Sequence, residues 1–237
     1  MTDSHLLAHH RTAGTGPTIV FLPGYASDMN GTKAVALEVW AKAAGRAYLR
    51  FDYRGCGESP GAFEAFTLAD WYADVLAMLD TVEGPAVLVG SSMGGWLMLL
   101  VARERPDKVA GLVGIAAAPD FTDWGFTAEQ KRAFAEQGRV LEASPYADQP
   151  TVTTHGFWAA GERFHVLDGP IGYGGPVRLV QGQADRDVPW ELAPRIATAL
   201  RSADVQTWLV KDGDHRLSRE CDIALIIRAV EDVLARS

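Results

Sequence analysis

Gly90-Ser91-Ser92-Met93-Gly94 is the stretch of this chain whose residue types and spacing can do covalent chemistry. A serine with glycines two residues before and two after fits a sharp strand-to-helix turn. Such a turn holds the hydroxyl outward, where it can attack an acyl carbon. The glycines are required because side chains there would collide in so tight a bend. The flanks agree: residues 86–89 (AVLV) read as a buried strand, and residues 96–101 open a helical stretch. Ser92 is therefore the candidate nucleophile. The amide of Met93 is a candidate donor to the oxyanion that such an attack creates. The bland alternative is a glycine-rich turn whose serine only caps a helix; Ser91 could cap it too, but stands at the wrong position to be the nucleophile.

Other reactive groups carry less. Cys56 lies in a glycine turn with no base in view and reads as an inert thiol, and Cys221 reads as a packing residue on the last helix. No His-Glu-x-x-His, no Cys-x-x-Cys pair and no carboxylate cluster suggests a metal. The glycines fit no phosphate-binding loop, so neither a metal nor a cofactor is expected.

The elements that must position Ser92 are legible as alternation. Short apolar runs at residues 18–22, 47–51, 86–89, 109–116, 177–180 and 205–210 read as strands buried on both faces. Between them, Leu68, Trp71, Val75, Leu79 and Val82 share one helical face behind a Thr67/Asp70 capping box. Ile223, Ile226, Ile227, Val230 and Val233 repeat that spacing near the end. Strand–helix alternation predicts an α/β fold, a mostly parallel sheet with helices on both faces. Residues 121–175 break the rhythm: a helix at 127–140, many aromatics, no clear strand. A structureless loop of that length would be unusual. The division expected is a core of residues 1–120 and 176–237 with an inserted helical lid at 121–175.

Composition sets outer limits. With 48% hydrophobic residues the chain is no disordered segment, and its net charge of −8 disfavours nucleic acid and anionic lipid as partners. No apolar run is long enough to span a bilayer. The start reads as neither a secretory signal nor a transit peptide. With two cysteines far apart, this points to a reduced, cytoplasmic setting. Oligomeric state is left open.

The segments LPGYASDMNGTKA, RFDYRGCGES, VGSSMGGWLML, VPW and GDHR together resemble the α/β-hydrolase family across nearly the whole chain. Within it they look most like the acyl-protein thioesterases of animal mitochondria, which also act as acyl-glucuronide esterases; this chain looks like a bacterial-type relative. The resemblance implies a base from the loop before the last helix, which is His215, in the order Ser…Asp…His. His5, His9 and His10 precede the first strand, and His155 and His165 fall in the lid. The acid is expected at Asp185, in a G-x-x-D pattern with Gly182, with Asp187 and Asp120 as competitors. Asp214 adjoins the histidine and is a poor orienter. Pro23-Gly24-Tyr25 stands where the family places an oxyanion loop, so the Tyr25 amide joins Met93 as a donor; the Tyr25 ring either lines the pocket or packs. Asp52 resembles a structural aspartate that braces loops, with Arg54 as a suggested partner.

The expectation is a serine esterase or thioesterase working through an acyl-serine intermediate on a small-molecule ester or an acyl-protein, without cofactor. Trp124, Phe157, Trp158 and Trp190 are the candidate pocket residues. Rivals are a small-molecule carboxylesterase, a carbon–carbon bond hydrolase of the same fold, and a ligand receptor that has lost turnover.

Overall fold

The computed structural model describes residues 7–143 and 150–237. Seven strands form one sheet: β1 (His9–Thr12), β2 (Thr15–Leu22), β3 (Arg46–Phe51), β4 (Ala86–Ser91), β5 (Val109–Ile115), β8 (Val177–Gly182) and β9 (Val205–Val210). Their spatial order is β1-β3-β2-β4-β5-β8-β9, with β1 antiparallel to β3 and every other pairing parallel. All six strands expected from apolar runs are present. β1 is the one sheet strand that carries no such run. It is an edge strand of sequence HHRT with its first three residues exposed, so nothing obliges it to be apolar.

Side chains alternate across the sheet, and each face meets its own helices. Ile19, Phe21, Val87, Val89, Val113, Ile115 and Val180 point to one side. There they pack on α1 (Thr32–Ala43) and α8 (Glu220–Leu234). Val20, Leu22, Leu88, Leu112 and Leu179 point to the other, against α2 (Leu68–Leu79), α3 (Met93–Glu104) and α7 (Leu192–Ala199). The Thr67/Asp70 box does start α2, with the Thr67 amide donating to Asp70 at 2.9 Å.

The segment expected to be an insertion leaves from the C-terminal end of β5. It holds α4 (Phe121–Trp124), α5 (Ala128–Gln137), β6 (Arg139–Glu142), β7 (Thr151–Thr154) and α6 (His155–Gly161). β6 and β7 pair antiparallel, which corrects the expectation of helices alone. Four-residue strands of sequence RVLE and TVTT are too short and too polar to stand out as apolar runs. The helix expected over 127–140 ends at Gln137, where Gly138 takes φ 76°. That left-handed residue is a common helix stop.

Asp52 fixes the loops that flank the sheet's C-terminal edge. It is fully buried and accepts from the Met29 amide at 2.6 Å and the Glu58 amide at 2.8 Å. It thus ties the β2–α1 loop to the loop after β3. Arg54 is not its partner. That guanidinium bonds the buried Asp74 on α2 through Nε, at 2.8 Å, and the Arg54 amide also donates to Asp74, at 2.9 Å. Asp52→Ala would strand the buried Met29 amide and the partly buried Glu58 amide. The expected cost is about 2–3 kcal/mol, read as a melting temperature lower by roughly 4–12 °C in a thermal scan.

Candidate active site

The glycines of the elbow are fixed by backbone contact. A Cβ on Gly90 would strike the Gly94 carbonyl, and a Cβ on Gly94 would strike the carbonyl of Leu22. Between them Ser92 adopts φ 53°, ψ −118°. For a non-glycine residue such a conformation costs of order 1–3 kcal/mol and persists only where the surroundings enforce it. They do so here: the Ser92 amide donates to Ile115 O at 3.0 Å, and its carbonyl accepts from Gly95 at 2.9 Å and Ala118 at 3.1 Å. The side chain is left at the C-terminal end of β4, and the Met93 amide opens α3, where the first turn's N–H groups lack helical partners.

Asp185 follows β8, and His215 lies in the loop after β9. His215 Nδ1 is 2.9 Å from Asp185 Oδ2. The other carboxylate oxygen accepts the amides of Asp187 and Val188, each at 2.9 Å, and Gln181 Nε2 donates to Oδ2 at 3.0 Å. Gln181 was not singled out from sequence. Its signal is a polar residue, four before Asp185, on a strand otherwise bound for the core. Of the competing acids, Asp187 lies near the imidazole too, but it is Asp185 that His215 Nδ1 bonds. Asp120 accepts the amides of Val166 and Leu167 at 2.8 and 2.9 Å, and Asp214 accepts Leu217 N at 3.0 Å. His165 sits between Glu162 and Asp168, away from this constellation.

Ser92, His215 and Tyr25 border a cleft of about 430 Å³, within the range typical of ligand pockets. Phe121, Trp124, Phe126 and Val188 give it an apolar wall, and Glu142 and Arg186 add polar groups. Of the four aromatics expected to line a pocket, Trp124 does so. Phe157 is buried, with its ring on Tyr25, Trp71 and Phe121. Trp158 stacks on Phe134 and donates to Thr122 O, and Trp190 accepts at its carbonyl from Ala193 in the first turn of α7. The Phe157 and Trp158 rings are thus engaged in packing, and Trp190 stands outside the lining of the cleft. Phe121 and Phe126 were passed over because nothing in their spacing separates cleft-facing from core-facing rings.

Gly24 lies against the elbow: a Cβ on it would come 3.3 Å from Ser92 Cβ. The Tyr25 ring packs edge-on to Phe63, Trp71 and Phe121, while its hydroxyl donates to Val152 O at 3.1 Å and meets Thr153 Oγ1 at 3.2 Å. The residue beside the elbow is thereby tied to β7 of the insertion. Among the described residues, Asp185, Asp187 and His215 form a group of potential metal ligands, but the Asp185 oxygens already accept the bonds given above.

A family model described as alpha/beta hydrolase fold matches residues 17–139. The chain is 40% identical over 233 residues to a protein of Bos taurus named palmitoyl-protein thioesterase ABHD10, mitochondrial, covering 96% of this chain and 76% of that one. Its Mus musculus counterpart is 42% identical, over 96% and 78%. The chain belongs to the α/β-hydrolase family. Among solved structures, a putative hydrolase of Agrobacterium vitis superposes with TM-score 0.91 at 39% identity, over 96% and 93% of the two chains. Mouse alpha/beta hydrolase domain-containing protein 10 gives 0.90 at 40%, over 99% and 97%. The names of the curated relatives place them in mitochondria, against the cytoplasmic setting expected from sequence. Among the described residues no helix is long and apolar enough to cross a membrane.

In this α/β-hydrolase the electrostatics of Asp185 set up a test. Burial works to raise its pKa, but the His215 hydrogen bond and charge and the amides of Val188 and Asp187 outweigh it, and the carboxyl lies below its ordinary value. A depressed carboxyl stabilises the fold above its unfolded pKa of about 3.9 and loses that contribution as pH falls through the folded value. The melting-temperature gap between the native chain and Asp185→Asn is expected to narrow as pH is lowered from 7 through 4 toward 3. Tyr25→Phe removes the tie to β7 and is expected to speed amide hydrogen exchange in residues 151–154, with little change in the strands of the main sheet.

Proposed function

We propose that this chain is a serine hydrolase of acyl thioesters and carboxylic esters, in which Ser92 is the nucleophile, His215 the general base and Asp185 the residue that orients the base. The α/β-hydrolases it matches at 40–42% identity are named palmitoyl-protein thioesterases. The observation that carries the residue assignment is the His215–Asp185 hydrogen bond beside a cleft that Ser92 also borders. A serine hydroxyl is a weak nucleophile until a base takes its proton. With Nδ1–H donated to Asp185, the Nε2 lone pair of His215 is left to do so, and the carboxylate stabilises the imidazolium that results.

Attack of Ser92 Oγ on the acyl carbon gives a tetrahedral oxyanion. The amides of Met93 and Tyr25 are its donors: one opens α3, the other follows Gly24, whose lack of a side chain admits the substrate to the turn. Collapse expels the thiolate or alcohol, with His215 returning a proton where the leaving group needs one. Water, activated by the same imidazole, then releases the acid. The cleft walled by Phe121, Trp124 and Phe126 is the place for the acyl chain, and the 121–175 insertion acts as its lid. The relatives' names point to long-chain S-acyl cysteine as a substrate.

A fluorophosphonate probe is expected to label the native protein and not Ser92→Ala. Turnover should fall by about 10⁶ in Ser92→Ala and by about 10⁴ in Asp185→Asn, whose amide favours the wrong histidine tautomer. Steady-state assays on S-palmitoyl peptide and on short p-nitrophenyl esters check both values and rank the two substrate classes. Labelling absent from folded native protein would overturn the assignment.

A further inference from the structure

Ser92 and His215 also border a second cleft, of different chemistry from the aromatic one. It measures about 230 Å³ and is walled by the β2–α1 loop, the start of α1 and the loop carrying His215. The aromatic rings of the insertion are absent from its described lining; Ser27, Thr32, Lys33, Arg216 and Ser218 contribute polar groups instead. Lys33 belongs to the segment MNGTKA, which the acyl-transfer chemistry leaves unused. Its ammonium donates to the carbonyl oxygen of Arg216, which holds it beside the histidine loop. An ammonium has three donors, so this bond leaves others for a ligand.

We propose that this cleft seats the leaving group, and that Lys33 and Arg216 select a compact thiol or alcohol bearing a carboxylate near the scissile bond. The inference rests on the acyl-transfer reading given above and adds to it the class of the group expelled. Size comes first: the cleft is smaller than the roughly 300–1,000 Å³ of pockets that engulf a whole ligand, so it suits a small fragment while the acyl chain occupies the larger cleft. Charge is the second support. In a chain of net charge −8, this wall places two cations beside the nucleophile. The carboxylate lining it is Asp28, one of whose oxygens already accepts the Asn30 amide at 2.7 Å. The Lys33 pKa agrees: burial, and then the like charge of Arg216, lower it to about 8 against the pull of Asp214, Asp185 and Asp222. Such a cation is incompletely neutralised by its own protein and gains from an incoming anion.

The test compares two thioesters that differ in one group: S-octanoyl-N-acetylcysteine, with its free carboxylate, and the corresponding carboxamide. Native enzyme is expected to cleave the carboxylate at least tenfold more efficiently, by kcat/KM. In Lys33→Met that ratio should fall to near one, and in Lys33→Arg it should persist. The ratio is the readout, so a partial loss of folded enzyme, common to both substrates, cancels. If native enzyme does not discriminate, the inference is overturned and the acyl-transfer reading stands. If it discriminates but Lys33→Met does so equally, Lys33 is not the selecting group and the inference fails. If neither thioester is cleaved and the fluorophosphonate does not label Ser92, both readings fall together.

Discussion

Backbone contact at the elbow constrains everything around it. Gly94 is packed so closely on the Leu22 carbonyl, and Gly90 on Gly94, that no Cβ fits at either place. This closeness locks the start of α3 to the end of β2, and with it the turn through Gly24 that carries Tyr25. Ser92 pays in strain for its outward hydroxyl, and the bonds of its own peptide groups to Ile115, Gly95 and Ala118 hold it there. The proposed nucleophile, both proposed oxyanion donors and the mouth of each cleft are therefore set by one steric junction between β2, β4 and α3. Function at this point requires rigidity, which central strands buried on both faces supply.

The charged half of the site obeys a different rule. Asp185 has a fully buried side chain, an expensive position for an ion. It stays ionised because His215, Gln181 and two amides each give it a hydrogen bond. The strands supply these partners by register: Gln181 sits near the end of β8, and the turn after it bends the Asp187 and Val188 amides back onto the carboxylate. His215 is then aimed by a group that three other hydrogen bonds hold in place. Asp52 and Asp120 work by the same physics without chemistry, each exchanging hydration for two backbone amides and so fixing a loop.

What was readable in the sequence divides along the same line. The elbow was legible because its cause is local sterics, and local sterics leave glycines at fixed spacing. The central strands were legible because burial on both faces leaves unbroken apolar runs. His215 and Asp185 were reached through resemblance, since nothing in their own neighbourhood distinguishes Asp185 from Asp187; only the fold brings one of them to the imidazole. β1, β6 and β7 were invisible because edge and hairpin strands stabilised by backbone pairing need no apolar signature. The pairing of Arg54 with Asp74 instead of Asp52 escaped for a related reason. It depends on α2 bringing Asp74 to the loop, a tertiary fact with no mark in the RFDYRGCGES segment.

Tyr25 joins these levels in one residue. Its amide lies in the turn against the elbow, its ring is clasped by rings from Phe63, Trp71, Phe121 and Phe157, and its hydroxyl reaches β7. Burial drives the phenol pKa far above its ordinary value, so it stays a neutral donor throughout the working pH range. Two of those rings and the strand belong to the insertion, while the turn belongs to the sheet. Any displacement of the insertion must therefore either break the Tyr25 hydroxyl bonds or drag on the turn that holds an oxyanion donor. An aromatic cluster that packs for stability is in this way also the mechanical link between the wall that would receive an acyl chain and the backbone that would stabilise its reaction. The ring at position 25 thus packs in the cluster while Tyr25 also borders the cleft.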